Sequence, residues 1–161
     1  MDKEKALSQL REFNKAWYRI AQCYDDEIFL STEGRVLYYM IEQESMGEEA
    51  TQKGLCEVWM MNKKPIHSAV KRMEKMGYII RIDSATDKRK KLLILTDRGR
   101  ELAKEAIVPV RRAELSAFEK MTEAEGKRLG ELMNKFEQYL RVEAAKYRKE
   151  ISKEENSTKD N

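Results

Sequence analysis

The chain has 161 residues, of which 41% are apolar and 38% charged, so it can bury one hydrophobic core and fits a soluble, helix-rich protein. Its longest apolar run, residues 36–41, is far shorter than the roughly 18 residues of a membrane span, and the first residues carry no apolar signal core. We therefore expect a cytoplasmic protein with no membrane contact. Two cysteines and one histidine argue against a disulfide framework, a histidine-rich metal site and a histidine-based catalytic cluster, and we expect no cofactor.

Charge is unevenly distributed along the chain. Residues 62–91 contain ten basic and three acidic residues, a net charge of +7, whereas the rest of the chain carries −4 and the whole chain +3. A basic segment of this kind favours a polyanionic partner, most often nucleic acid. The alternative is an ordinary solvated surface.

Apolar residues at steps of three and four predict a long amphipathic helix near the N-terminus, within residues 1–30. Ser31 is a predicted N-cap for a second helix, which we expect to give way to an acidic linker at 42–49. Thr51 is the predicted cap of a short third helix.

Residues 62–77 predict a fourth helix. Pro65 is tolerated in its first turn, and Gly77 suits the left-handed residue that ends a helix. The helix has an apolar stripe of Ile66, Ala69, Val70 and Met73. The opposite face is polar and mostly basic, with Lys64, His67, Ser68, Lys71 and Arg72.

Two short strands, 78–82 and 92–95, joined by a basic loop predict a β-hairpin. A two-stranded hairpin is not stable alone, so it must pack on the preceding helices. This order of elements predicts a winged helix-turn-helix: two helices, then a helix with a basic face, then a hairpin with a basic tip. The helix fits the major groove of DNA, and the hairpin tip can reach the adjacent minor groove.

The C-terminal part is predicted to be helical. Thr96 caps a long helix that Pro109 kinks, and Thr122 with Glu125 forms a capping box for a last helix that reaches about Tyr147. From Ser152 onward the polar sequence predicts a disordered tail.

The expected fold is mainly α with a small β-hairpin: a winged helix-turn-helix domain plus a helical dimerisation region from the N- and C-terminal helices. Its predicted regions are an N-terminal dimerisation helix at 1–30, a DNA-binding lobe at 31–98, C-terminal dimerisation helices at 99–150 and the tail at 151–161.

The segments 62–79, 87–89 (Asp-Lys-Arg) and 93–99 (Leu-Ile-Leu-Thr-Asp-Arg-Gly) resemble the multiple-antibiotic-resistance regulator (MarR) family of bacterial transcription factors. That family combines a recognition helix ending in Leu-Glu-x-x-Gly, an Asp-x-Arg wing and a Leu-Thr-x-x-Gly helix start. Met73 stands where the family has leucine, and Pro65 where it often has a hydroxyl residue. The resemblance covers about residues 7–148.

The resemblance implies a homodimer, in which the first and the last two helices of each chain interlock and two lobes face the half-sites of a pseudo-palindrome. It also implies a transcriptional repressor, which a small ligand would release. The terminal helices have broader apolar faces than a small winged domain could cover, which independently favours a dimer over intramolecular packing. These faces include Phe13, Trp17, Phe136, Tyr139 and Leu140.

Ten residues are predicted to bind DNA. The alternative is that they form an ordinary solvated surface. They are Lys63, Lys64, His67, Ser68, Lys71, Arg72, Lys88, Arg89, Lys90 and Lys91. Arg89 is the wing-tip arginine by the motif, and Asp87 shapes the loop and orients it because a carboxylate repels phosphate. Arg81 suits the wing base and a phosphate equally well.

Six residues could line a pocket for an aromatic effector, although such stripes are more often plain core. They are Trp17, Tyr18, Tyr38, Tyr39, Met40 and Trp59. Cys23 and Cys56 could sense oxidants, but neither has a local cation to stabilise a thiolate, so buried apolar filler is the favoured interpretation.

Two rival functions remain at this point. A winged-helix module can bind a protein partner without DNA specificity, and a helical scaffold can carry an enzyme. The sequence has no assembled nucleophile, base or metal set and no phosphate-binding glycine loop, so we expect no enzyme.

Overall fold

A computed structural model describes residues 2–24, 31–85, 87 and 89–157 of the chain. The backbone forms two compact units, 1–113 and 114–161. No helix within the described ranges is long and apolar enough to cross a membrane. The elements in chain order are α1 (Lys3–Ala21), α2 (Thr32–Met46), α3 (Gln52–Val58), α4 (Lys63–Lys75), β1 (Ile79–Asp83), β2 (Lys91–Leu95), α5 (Asp97–Ala106), α6 (Val108–Phe118) and α7 (Glu123–Ser157).

Three predicted helix starts are confirmed by side-chain caps. In each, a hydroxyl oxygen accepts the backbone N–H of the residue three positions later, which satisfies one of the unpaired donors of the first turn. The capping pairs are Ser31 with Gly34 at 2.9 Å, Thr51 with Gly54 at 3.0 Å and Thr96 with Gly99 at 3.0 Å.

Helix α2 runs further than predicted. Residues 42–46, which include Glu42 and Glu44, continue the helix to Met46, and Gly47, with φ 71°, ends it. The expectation of a linker beginning at residue 42 was wrong, because glutamate is a good helix former and the terminating signal is the glycine.

The core of the first unit lies among α2, α3, α4, α5 and the hairpin. The predicted apolar stripe of α4 is confirmed, since all four of its side chains are buried. They pack with residues of the neighbouring elements, among them Val36, Leu37, Tyr39, Leu55, Ile79, Leu93, Ala103 and Ile107. The face of α4 opposite this core is therefore left to solvent.

The hairpin is antiparallel, with Ile79 paired to Leu95 at one end and Asp83 to Lys91 at the other. Strand β1 lies one residue later than predicted, whereas β2 begins one residue earlier and ends at Leu95 as predicted. The hairpin does not stand alone: the N–H of Leu93 donates to the carbonyl of Ala50 (2.9 Å). The segment before α3 thus pairs with the outer side of β2 and holds the wing base.

The Leu-Thr-x-x-Gly motif joins the start of α5 to the end of α4. The hydroxyl of Thr96 donates to the carbonyl of Gly77 (2.6 Å), and its N–H donates to the carbonyl of Tyr78 (3.0 Å). Gly99 lies directly against the backbone of Tyr78, since a Cβ built on it would be 1.9 Å from the Tyr78 carbonyl oxygen. The motif requires glycine here because the backbones approach so closely.

Two predictions for the C-terminal helices were wrong. The helix expected to kink at Pro109 is two helices, α5 and α6, with Pro109 in the first turn of α6, where its missing N–H loses no bond. The tail expected to be disordered from Ser152 is helical to Ser157. Lysine and glutamate favour a helix even without an apolar stripe. Residues 158–161 lie outside the described residues.

The capping box is confirmed at the start of α7. Both the N–H and the hydroxyl of Thr122 donate to Glu125 Oε2 at 2.8 Å. These hydrogen bonds hold the pKa of Glu125 below its ordinary value, and the bond from the backbone N–H has the larger effect.

We expect the Thr122→Ala change to raise the pKa of Glu125 towards its ordinary value, because the hydroxyl donor is lost. A carboxyl with a depressed pKa stabilises the fold above its unfolded pKa and loses that contribution as the pH falls through the folded pKa. An NMR titration of Glu125 checks the expected pKa, and Glu125→Gln should remove the contribution of this carboxyl to the change of stability with pH. Identical Glu125 midpoints in Thr122→Ala and the parent chain would contradict it.

Candidate nucleic-acid interface

The exposed face of α4 carries the predicted recognition residues. Lys64, Ser68 and Arg72 follow one another at steps of four and are exposed, as are Lys63 and Lys71. Residues 64 to 72 span about 12 Å along a helix axis, because the rise is 1.5 Å per residue. This length matches the roughly 12 Å width of the major groove of B-DNA. The face can therefore present side chains across the groove.

The lysines of this face are electrostatically available. Among the described residues, Lys63, Lys64 and Lys71 have no carboxylate within 4.0 Å. An ammonium group without a protein partner has no ion pair to break when it binds a phosphate. These three side chains supply the positive charge of the helix face.

Arg72 differs from the lysines because it has a carboxylate partner. Its Nε and Nη2 lie 2.6 and 2.5 Å from Oε1 of Glu33, in the first turn of α2. Its side chain remains more than half exposed. Arg72 is thus anchored on the α2 side of the recognition face while part of its guanidinium stays accessible.

Arg81 belongs to the wing base. Its Nε and Nη2 donate to the carboxylate of Glu74 at 2.7 and 2.6 Å, which ties β1 to the end of α4. Of the two predicted alternatives, the structure places Arg81 in the base of the wing.

The wing tip presents Arg89 to solvent, with 94% of its side chain exposed. Asp87 Oδ1 accepts the backbone N–H of Arg89 at 3.0 Å and lies 3.4 Å from its Nε. Asp87 therefore shapes the loop and orients the arginine, as predicted. Lys88 lies outside the described residues.

The other wing lysines have partners at the base. Lys90 Nζ lies 2.6 Å from Glu49 Oε2, and this hydrogen bond raises the pKa of Lys90. Lys91 pairs with Asp83 across the hairpin. Both still add positive charge to the wing, but they also fasten it.

A cleft of about 510 Å³ separates the start of α3 from the wing. Its walls include Thr51, Gln52, Lys53, Arg89, Lys90 and Lys91. It lies in the same lobe as the wing cations, and its walls also include the acidic residues Glu57 and Asp87.

The six candidate effector-pocket residues are not brought together within this chain. Trp17 and Tyr18 are exposed on α1, whereas Tyr39 and Met40 are buried in the core. Tyr38 packs edge to face against Trp59, with ring centroids 5.8 Å apart, as in ordinary side-chain packing. The pocket stays a prediction.

The two cysteines have different surroundings. Cys56 is half-buried and packs against the core, as expected. Cys23 is exposed, so the expectation of buried filler was wrong for it. The reason is that no residue of α1, which it follows, is buried in this chain.

Sequence reasoning missed three polar residues that hold the candidate site together. Glu33 and Glu49 pair with Arg72 and Lys90, 39 and 41 residues away, and no local pattern reveals such partners. Gln52 contacts His67. Gln52 directly follows the cap of α3, and α3 packs beside the recognition helix α4. This position could have indicated a contact between Gln52 and α4.

An exposed cationic helix face and an arginine-tipped hairpin on one lobe define a winged helix-turn-helix DNA-binding protein. Residues 30–90 match the family model described as "MarR family". The winged-helix region of this chain is therefore similar to the MarR family of DNA-binding transcriptional regulators, as the sequence predicted. Regulators of this family are non-enzymatic, which agrees with the expectation that the chain is not an enzyme.

Solved structures share the fold over most of the chain. MepR of S. aureus bound to DNA is 19% identical, covering 81% of this chain and 96% of its own, with a TM-score of 0.54. PcaV of Streptomyces coelicolor is 19% identical, covering 81% and 89%, with a TM-score of 0.53. BldR of Sulfolobus solfataricus is 22% identical, covering 86% and 99%, with a TM-score of 0.52. No curated protein matches the sequence.

Proposed function

We propose that this protein is a cytoplasmic, homodimeric regulator that binds a specific pseudo-palindromic double-stranded operator and represses transcription by occupying it. The observation that carries the proposal is the cationic surface of the first unit. Three lysines without carboxylate partners among the described residues lie on α4, and Arg89 is almost fully exposed at the wing tip. Such a surface complements the phosphate backbone.

Each part of the lobe has a distinct role in this proposal. The N-terminal half of α4 enters the major groove and contacts base edges. Lys63, Lys64 and Lys71 neutralise phosphates, and Arg72 contacts the backbone at the groove edge. Arg89 enters the neighbouring minor groove, where a narrow groove concentrates negative potential. Lys90 and Lys91 add charge beside it, and we propose the same for Lys88.

The apolar faces of the terminal helices support the dimer. Residues 1–30 and 99–150 would form the dimerisation region. Helices α1 and α6 bury none of their residues, and none of the described side chains of α7 is buried. Large exposed apolar patches mark interaction surfaces. Exposed side chains on these helices include Leu7, Trp17, Ile20, Leu115, Leu132, Tyr139, Leu140 and Tyr147. A twofold axis would place two recognition helices about 34–36 Å apart.

Release by a small ligand is a further part of the proposal. A ligand that binds better to a dimer with a different half-site spacing would lower operator affinity by shifting the population. PcaV was solved with its natural ligand, and BpsR of Bordetella bronchiseptica is described as regulated by 6-hydroxynicotinic acid. Aromatic acids are therefore the first compounds to add to the preformed complex.

Selection of bound fragments from a random duplex pool tests the function. We expect an inverted-repeat consensus, and binding that weakens with salt at a log–log slope of roughly −0.9 for each neutralised phosphate. The rival, a winged-helix module for a protein partner, would give no consensus and a flat salt dependence. That result would refute the proposal.

The dimer has its own test. We expect Leu140→Glu, at an exposed apolar position of α7, to convert the dimer into monomers, because it would bury a carboxylate without a partner. Sedimentation equilibrium measures the change. Deletion of residues 152–161 is the control and should leave the dimer intact. A Leu140→Glu protein that still sediments as a dimer would exclude this face.

A further inference from the structure

His67, the chain's one histidine, has a specific partner at the base of the recognition face. It is the fifth residue of α4 and is half-buried on the flank nearest α3. The side-chain amide nitrogen of Gln52, the first residue of α3, lies 3.4 Å from His67 Nδ1. This is a long hydrogen bond, and it joins the two helices of the helix-turn-helix through their side chains.

The contact fits one tautomer of the neutral ring. An amide nitrogen only donates, so the bond forms when Nδ1 accepts, and the neutral imidazole that accepts it carries its hydrogen on Nε2. Nε2 lies on the other side of the ring from Nδ1, so the N–H points away from Gln52. His67 is thereby presented as a hydrogen-bond donor.

We propose that Gln52 is a positioning residue and that His67, held by it, donates a hydrogen bond from Nε2 to N7 of a purine in the operator. The inference rests on the proposed DNA-binding function and adds a specificity-determining pair to it. Purine N7 is an acceptor exposed in the major groove, whereas the amino groups of adenine and cytosine there are donors and would repel an N–H.

The position of His67 favours a base over a phosphate. Side chains in the N-terminal half of a recognition helix reach base edges. Lys63, Lys64 and Lys71 stand three or four positions away on the same helix and already supply charge for the backbone. A neutral ring with one directed donor adds little to phosphate attraction, but it can distinguish bases.

The experiment replaces each purine of the selected operator in turn by its 7-deaza analogue, which keeps base pairing and removes the acceptor. For the parent protein we expect one purine in each half-site at which the analogue weakens binding about fivefold, the effect of one lost hydrogen bond. His67→Ala should bind parent and 7-deaza operators equally. Gln52→Ala should retain affinity for random duplex but lose most of the fivefold discrimination.

Gln43→Ala, the same substitution on α2, is the matched control and should leave the 7-deaza profile unchanged. Thermal melting verifies that each variant folds, and the scan on the parent protein needs no variant at all. A parent protein indifferent to every N7 would overturn the inference while leaving DNA binding intact. Equal losses of operator and random-duplex affinity in His67→Ala would assign the ring to phosphate and overturn it as well. Failure of the parent protein to bind any duplex would instead reject the proposed function.

Discussion

Replacement of Gly99 by alanine is expected to lower the free energy of unfolding by about 3 kcal/mol or more, the upper range of overpacking effects. A Cβ on residue 99 would lie 1.9 Å from the carbonyl oxygen of Tyr78. The obstacle is backbone, which Thr96 also holds by its N–H bond to the same oxygen. The start of α5 would have to move away from β1, breaking this bond. Urea unfolding followed by circular dichroism measures the loss.

Gly126→Ala is the matched control, because both glycines lie in the first turn of a helix after a threonine cap. A Cβ on Gly126 would meet Phe118 at 3.8 Å, an ordinary van der Waals distance. We expect this variant to be as stable as the parent or more stable by up to about 1 kcal/mol, from helix propensity. Similar stabilities for the two variants would show that the lobe relaxes around residue 99.

Arg89→Ala is expected to weaken operator binding about tenfold or more without changing the stability of the fold. The side chain is 94% exposed, and its carboxylate contact with Asp87 is local to the loop. Removal of one arginine that binds DNA costs about 1–3 kcal/mol of affinity and lowers the salt slope by about one phosphate if it neutralises a phosphate. Fluorescence anisotropy titrations at several salt concentrations measure both quantities.

Arg128→Ala serves as the control for Arg89→Ala, since Arg128 is exposed and also has a nearby carboxylate, Glu131. It should bind as the parent does. Arg72→Ala should also weaken binding, but by less than Arg89→Ala, because Glu33 shares its guanidinium. Parent-like affinity in both Arg72→Ala and Arg89→Ala would remove the cationic face and the wing from the interface.

The winged lobe could be predicted because its signals are local. The spacing of Ile66, Ala69, Val70 and Met73 indicated the buried stripe of α4, and Thr51 and Thr96 were recognisable caps. The C-terminal region was predicted less well. The helix break falls at Ile107, between α5 and α6, and not at Pro109. Helix α7 continues beyond Ser152, because helix propensity can sustain a long helix that no apolar pattern reveals.

The composition of the candidate site was also predictable, but its internal pairing was not. A count of charges reveals which residues are cationic and which helix face they share. It does not reveal that Arg72 and Lys90 have glutamate partners about 40 residues away, since such contacts depend on how helices pack. The same holds for the contact between Gln52 and His67, two residues on adjacent helices.

The bond from Leu93 to Ala50 has a consequence for protein engineering. Because the segment before α3 pairs with β2, the hairpin cannot be exchanged independently of that segment. A chimaera that imports a foreign wing at residues 79–95 alone would lose the matching edge at residues 50 and 51. Successful grafts should carry both segments from the same donor.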